Sequence, residues 1–412
     1  MQVLRPRCAG LDVHKRFVTA CILLTASDGT VTQHDQQFGT TTAEILALLD
    51  WLKTHAVTDA AMESTGNYWK PIYNLLEGQL DLAVVNAHHA KALPGRKTDM
   101  SDAHWLADLH RHGLLRASYV PARPQRELRE LVRHRTNLAQ RRAQSVNELH
   151  KALESTNLKL GNVATDITGV SATDMLTQLL AGKTDPEALA DLARGALRKK
   201  KAQLIAALRG ELREHHKLIL SQLMADISWQ EEQMAEASVE IEKRLADQKE
   251  LLGRLDEIPG VNQRIAEVIV AEVGVDVSHF PSADHLVSWS GLCPGSDQSG
   301  GKRRSGRIRG GNRSLRGAIV EAAQAGRRKE GSFLSARYAR LAGRRGKKRA
   351  IVAVGRSILK SIWYMMARGL HYQDLGADYY ERRNPEALAL KWAKRIERLG
   401  YRVSLVPVSK SA

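Results

Sequence analysis

The chain has 412 residues, beyond the size at which one hydrophobic core usually divides, so two or three domains are expected. Lys plus Arg number 62 against 45 Asp plus Glu, a formal charge of +17, and such an excess points to a polyanionic partner. Cys8, Cys21 and Cys293 are too few and too scattered for a zinc site or a disulfide framework. They read as reduced thiols in a cytoplasmic protein. No uncharged apolar stretch approaches the ~20 residues of a membrane span, so no membrane partner is expected. The first apolar run is interrupted by Asp12, His14 and Lys15, unlike a signal peptide. Aromatic residues make up 5%, so the cores must rest on Leu, Ala, Val and Ile.

In chain order, residues 8–38 read as two or three strands, with a hairpin turn at Ser27-Asp28-Gly29. Ile45, Leu48, Leu49 and Leu52 fall at helical spacing between Ala43 and His55. Asp59 to Glu63 reads as a short strand, Tyr68 to Gly78 as a helix, and Leu80 to Asn86 as a buried strand. Three strands followed by helix, strand, helix and strand make an α/β pattern. Residues 101–157 are predominantly helical, with Leu128, Leu131, Leu138, Val146 and Leu149 as an apolar stripe. Short elements follow over 160–186, where Gly, Thr, Ser and Asp-Pro accumulate. Residues 187–257 are helical again. Ile205, Leu208, Leu212, Ile219, Leu223 and Ile227, then Ile241, Leu245, Leu252 and Leu255, form a heptad-like seam. The seam predicts either a helical arm or coiled coil, or one long helix packed on its own domain.

At Ile258-Pro259-Gly260-Val261 one helix ends and a second apolar helix begins. This is a helix–hairpin–helix-like pattern, whose backbone N–H groups can meet phosphates; an ordinary αα turn is the plain alternative. Residues 300–350 hold seventeen Lys or Arg against two acids, Glu321 and Glu330, nearly the whole net charge of the chain. A solvated face normally mixes signs, so this block reads as a phosphate-binding surface. Residues 350–369 form an apolar helix, and the tail over 370–412 is amphipathic and polar. The boundaries expected are 1–120 for a catalytic α/β domain, 121–254 for a helical linker or arm, 255–370 for a mainly α basic domain, and 371–412 for the tail.

Two constellations carry chemistry. Asp12 lies within a strand, Glu63 ends another, and Asp99 and Asp102 stand at i, i+3 where a loop becomes a helix. An acid within an apolar strand is costly unless compensated, and two divalent cations would compensate four carboxylates. Mg²⁺, with Mn²⁺ as the other candidate, suits an all-oxygen set. Taken singly, Asp12 could start a turn, Glu63 could cap a helix, and Asp99 and Asp102 could be surface acids favoured by a helix dipole. The second constellation is Trp289-Ser-Gly-Leu-Cys-Pro-Gly-Ser296-Asp-Gln-Ser299-Gly-Gly-Lys302, continuing through Gly306-Arg-Ile-Arg309-Gly-Gly-Asn312-Arg-Ser-Leu315-Arg316. Two glycines after Ser299 allow a phosphate or backbone to approach closely. Lys302, Arg303, Arg304, Arg307, Arg309, Arg313 and Arg316 are the candidate nucleic-acid-binding residues. No local His–Asp relay activates the serine, and on the residues alone Ser299 reads as a polar loop residue.

GLDVHK, AMESTGNYW and KTDMSDA, followed by Gly-Leu-x-Pro, Ser-Gly-Gly-Lys and Asn-x-x-Leu-Arg, resemble the DEDD transposases of the bridge-RNA-guided insertion-sequence family, which includes Piv-like DNA invertases. The resemblance covers roughly residues 8–120 and 250–370. It implies an RNase H-like (RuvC-like) N-terminal domain with Asp12, Glu63, Asp99 and Asp102 as metal-binding acids. It implies Ser299 as a nucleophile forming a phosphoserine–DNA intermediate, with Ser296 and Ser305 as rivals. It further implies donor and target DNA and a structured guide RNA as partners, a dimer or tetramer, and a site of action at the nucleoid. The arm at 187–257 and the tail after 370 look longer than such a protein needs. A metal-dependent RuvC-like nuclease using water, and a non-catalytic nucleic-acid scaffold, are the alternative readings; a helix–hairpin–helix repair protein explains less of the chain.

Overall fold

A computed structural model describes residues 2–64, 66–86, 101–295, 297–300, 302–305, 308 and 310–406; for 297–299 and 302–305 only the backbone is described. The chain divides into two compact units, Met1–Pro121 and Ala122–Ala412.

The first unit is built on β1 (Arg7–Val13), β2 (Phe17–Thr25), β3 (Val31–Gly39), β4 (Asp59–Glu63) and β5 (Asp81–Val85). Their order is β3-β2-β1-β4-β5. The first three strands form an antiparallel meander, while β4 and β5 join β1 in parallel. Parallel strands need crossovers, supplied by α1 (Thr42–Thr54) between β3 and β4 and α2 (Trp69–Leu76) between β4 and β5. Thr41 and Glu44 start α1 with a reciprocal capping box. Successive side chains alternate between sheet faces. Ala9, Leu11 and Val13 therefore join Ala60 and Met62 beneath α1 and α2, with Ile45, Leu48, Leu52, Ile72 and Leu76. Cys8 lies on the opposite face, against Ala103 and Ala107 of α3 (Asp102–Arg111).

The second unit is helical apart from one small hairpin. Its longest helices are α4 (Arg123–Ser155) and α9 (Glu214–Arg244). They run antiparallel, with Glu127 against Arg244 (2.8 Å), Arg142 against Glu231 (2.6 Å) and Ser145 against Asp226 (2.6 Å). Between them the chain forms α5 (Leu160–Val163), α6 (Val170–Leu180), α7 (Pro186–Ala190) and α8 (Lys201–Ala207). These pack on one end of the pair, around Leu149, Leu153, Leu160, Met175, Leu204 and Ile227. At the other end, Leu128, Val132, Ile241 and Leu245 enter a second core. There they meet α10 (Lys249–Asp256), α11 (Gln263–Val273), α12 (Ala283–Trp289), α13 (Arg313–Gly326), α14 (Phe333–Arg345) and α15 (Lys347–Arg368). The tail continues into α16 (Tyr379–Arg383) and α17 (Pro385–Glu397).

The heptad-like seam is interrupted rather than continuous. Gly210 breaks it: a Cβ there would meet the Thr156 carbonyl at 2.6 Å and Leu158 at 2.8 Å. Leu208 and Ile227 are buried in the distal core, and Ile241, Leu245 and Leu255 in the basal one. Ile219 remains 44% exposed. The stripe is therefore largely an intrachain core, and α4 with α9 makes a two-helix arm.

The Pro259-Gly260 turn is also a packing element. Pro259 and Val261 are buried. A Cβ on Gly260 would lie 2.2 Å from the Ala322 carbonyl, and one on Gly326 would lie 2.4 Å from the Pro259 carbonyl. The turn is thus seated backbone-to-backbone on the end of α13. Helix α15 is long and apolar enough, by length and composition, to cross a membrane. Its Ile351, Val354, Ile358, Leu359 and Ile362 are buried in the basal core.

Candidate active site

The acids of the first unit are placed by backbone regularity. Asp12 is the penultimate residue of β1, and Glu63 is the last of β4. The parallel register pairs Gly10 with Ala61 and Leu11 with Met62, so Asp12 and Glu63 are neighbours one position further on. Both project from the face that α3 covers, because Gly10 and Asp12 share a face and a Cβ on Gly10 would meet the Ala103 carbonyl at 2.1 Å and the Ala107 amide at 2.5 Å. Cys8 donates to the Ala107 carbonyl at 3.5 Å. Helix α3 therefore runs against β1 with its N-terminus toward Asp12, bringing the first residue of the helix, Asp102, to the same end. Ser101 caps that helix by accepting from the His104 amide at 3.1 Å.

Glu63 is 7% exposed, and the Asp12 side chain is 20% exposed with His14 Nε2 3.1 Å from its Oδ2. Asp99 lies outside the described residues. Among the described residues, no three His, Cys, Asp or Glu side chains form a group that could hold a metal. Asp12, Glu63 and Asp102 thus share one edge without forming a ligand set by themselves.

The serine motif occupies a hairpin in the second unit. β6 (Asp297–Ser299) pairs with β7 (Lys302–Ser305), and Ser299 stands opposite Lys302 at the tip. Gly300 follows with φ +56°, a left-handed conformation that suits glycine in a two-residue turn. A bridge between Pro294 and Ile308 extends the pairing toward the base. There the Asn312 amide donates to the Trp289 carbonyl at 3.2 Å. A Cβ on Gly311 would lie 2.5 Å from the Gly291 nitrogen, so only glycine lets the two limbs close this tightly. Ser305 ends β7. Ser296, Arg307 and Arg309 lie outside the described residues. The backbone puts Lys302, Arg303 and Arg304 on β7, while Arg313 and Arg316 occupy the first turns of α13. The positive end of that helix dipole lies at the same place.

Below the hairpin lies a buried ionic network. Glu272, at 0% exposure on α11, receives both arms of Arg133 at 2.6 and 2.8 Å and Asn312 Nδ2 at 2.6 Å, with Arg129 Nε 3.7 Å away. Burial opposes its charge, but Arg133, Asn312 and Arg129 outweigh that and hold the carboxyl below its ordinary range. One helical turn or so away, Glu267 is equally buried and pairs with Arg135 at 2.5 Å. Arg135, Arg142, Arg264 and Arg313 line a cleft of about 810 Å³ between α4, α9, α11 and α13. Glu272 is a functional candidate that motif and spacing do not single out. Its signal was an acid inside the apolar run Ile265–Val273, which is costly unless paired.

Comparison with known families agrees with both halves of the chain. Residues 9–158 match the model of the IS110 DEDD transposase, and residues 252–339 match that of the transposase of the IS116/IS110/IS902 family. Both models describe transposases, enzymes whose substrate is DNA. The chain belongs to the IS110 family of transposases. No curated protein matches the sequence.

Proposed function

We propose that this transposase cuts and rejoins the DNA of an insertion sequence with Asp12, Glu63, Asp99 and Asp102 as a metal-binding set and Ser299 as the nucleophile. The observation that carries this reading is the adjacency of Asp12 and Glu63 on parallel neighbouring strands, beneath the helix that begins with Asp102. The 3-2-1-4-5 strand order, with a meander followed by two parallel crossovers, supports an RNase H-like fold. An all-carboxylate set fits Mg²⁺ or Mn²⁺. Bound there, the cation would stabilise charge on the attacking and leaving oxygens of a phosphodiester.

The position of Ser299 at the tip of a glycine-rich hairpin followed by Lys302, Arg303 and Arg304 supports this role. Attack of its hydroxyl on phosphorus forms a serine–phosphate ester and releases a DNA hydroxyl, which takes up the proton the serine loses. Attack by a hydroxyl of the partner strand restores the serine. The basic residues around the hairpin meet DNA backbone and, in this reading, a structured guide RNA read by shape. Two strand exchanges per crossover require at least two copies of the chain, as a dimer or tetramer, acting at the nucleoid.

The test incubates purified protein, RNA transcribed from its element and labelled junction DNA with Mg²⁺, and looks for a protein–DNA adduct on a denaturing gel. Wild type should give the adduct, and Ser299→Ala and Asp12→Ala should not. Cleavage that persists in Ser299→Ala without an adduct, yet needs Asp12, would leave a nuclease using water. Binding without cleavage in wild type would leave a scaffold.

A further inference from the structure

We propose that Asn312 and Glu272 are positioning residues for the serine hairpin, an anchor that fixes the base of the loop so that Ser299 meets the phosphate in a reactive geometry. The proposal rests on the reading of Ser299 as the nucleophile.

Asn312 performs three tasks at one point of the chain. Its amide N–H donates to the Trp289 carbonyl at 3.2 Å and closes the two limbs of the hairpin. Its side-chain oxygen accepts from the Leu315 amide at 3.0 Å and caps α13. Its side-chain nitrogen donates to Glu272 at 2.6 Å. The third bond is the one that a helix cap alone does not require. Serine or aspartate would cap equally well, but aspartate has no proton to give at neutral pH, and the serine hydroxyl sits one bond nearer the backbone than the Asn312 nitrogen that reaches Glu272.

Glu272 is in turn immobilised. Arg133 grips both carboxylate oxygens, and Arg129 lies beside one of them. Arg129 also donates to the Ala271 carbonyl at 3.0 Å, and Gln125 donates to the Val270 carbonyl at 2.8 Å. The Ala271 carbonyl is one that the end of α11 leaves open, while the Val270 carbonyl also accepts from the Gly274 amide at 2.9 Å. The Arg129 guanidinium also lies 6.0 Å from the ring of Trp289, the residue whose carbonyl receives Asn312. The start of α4, the end of α11, the start of α13 and both limbs of the hairpin thus meet around one carboxylate. A charged hydrogen bond in a buried setting is strong and directional, and a small displacement of a reacting group costs rate steeply.

The test compares Asn312→Ser, which keeps the cap but draws the donor back by one bond from Glu272, with wild type and Ser299→Ala. Single-turnover adduct formation, DNA affinity, melting temperature and amide exchange over residues 291–311 are measured. Asn312→Ser should melt within about 3 °C of wild type and bind DNA equally. Its amides over 291–311 should exchange faster, and its adduct should form roughly tenfold or more slowly. Asn312→Asp sets two carboxylates against each other and should be slower still. The E272Q/N312D double variant, which swaps donor and acceptor across the contact, should recover part of that loss. A wild-type rate in Asn312→Ser overturns the proposal, as does a rate loss that merely follows a loss of DNA affinity. Adduct formation by Ser299→Ala overturns the reading beneath it, and the amide exchange then still reports whether the anchor holds the hairpin.

Discussion

The acid edge of the first unit and the serine hairpin of the second are held by different physics. Asp12 and Glu63 are positioned by strand register: once β1 and β4 pair in parallel, the two side chains emerge next to each other on the same face. Ser299 sits on a two-stranded ribbon that a sheet does not extend, and such a ribbon is marginal by itself. Its placement is set from below, by Gly311 against Gly291 and by Asn312 reaching a buried carboxylate 40 residues away in sequence. The lesson is that a group carried on a paired strand needs little support beyond the core of its sheet, whereas a loop-borne group needs a dedicated anchor.

Substitutions at the acid edge sharpen this contrast most. Asp12→Asn changes charge and little else, and strand exchange should fall by about a thousandfold or more. The melting temperature should stay near that of wild type, because the Asp12 side chain is partly exposed and its backbone remains paired with Thr19. Retained exchange in this variant, assayed on labelled junction DNA, would make the acid edge merely structural.

The glycines come next. Gly10→Ala drives a methyl into the backbone of α3, at 2.1 Å from the Ala103 carbonyl, so the helix must move away from β1. Overpacking of this kind costs about 1–3 kcal/mol, a drop of several degrees in melting temperature. Activity should fall with it, since Asp102 rides on that helix. Gly311→Ala should behave oppositely. It opens the base of the hairpin and depresses exchange strongly while leaving the melting temperature of the unit nearly unchanged. If the two variants show the same balance of stability and activity loss, measured by calorimetry and by adduct yield, the distinction between the scaffolds falls.

The smallest effect at neutral pH, and the sharpest in acid, concerns titration. His110, buried on α3, is pushed down to about 4 by burial first and by Arg5 second. The folded state keeps it neutral where the unfolded chain would be protonated, so unfolding takes up a proton. Stability of the first unit should fall as pH drops from about 6.5 to about 4, by about 3 kcal/mol in all. Glu272 is held below its ordinary range, so its contribution is present above about 4.5 and fades only as pH falls through its lower folded value. Amide exchange at stepwise pH should therefore show the first unit loosening before the second, and His110→Leu should remove the difference.

Much of the first unit was legible because its signals are local. The Ser27-Asp28-Gly29 turn, the apolar spacing of Ile45 to Leu52 and the short run ending at Glu63 each mark one element, and β1 to β5 follow them. Asp12 and Glu63 stood out because an acid on an apolar strand is anomalous. In the second unit the decisive contacts are distant. Gly210 interrupts the seam because of Thr156, more than fifty residues earlier, and Gly260 packs on Ala322 and Gly326. Periodicity carries no trace of either encounter. By sequence Glu272 is only an acid within an apolar helix, and its partners on α4 and at Asn312 become visible only when the fold closes.

The antiparallel pair of α4 and α9 has a consequence of its own. A helix of 33 residues rises about 50 Å at 1.5 Å per residue, roughly the length of fifteen base pairs of duplex. The pair is a ruler with a separate hydrophobic knot at each end. Its length and its phase can be set independently. Removing seven residues from each helix, about two turns, shortens the ruler by about 10 Å and leaves the far knot facing the same way, whereas removing five turns that knot by roughly 140°. Whatever the far end grips is therefore held at a fixed distance and a fixed angle from the hairpin end, as a draughtsman's compass holds its point.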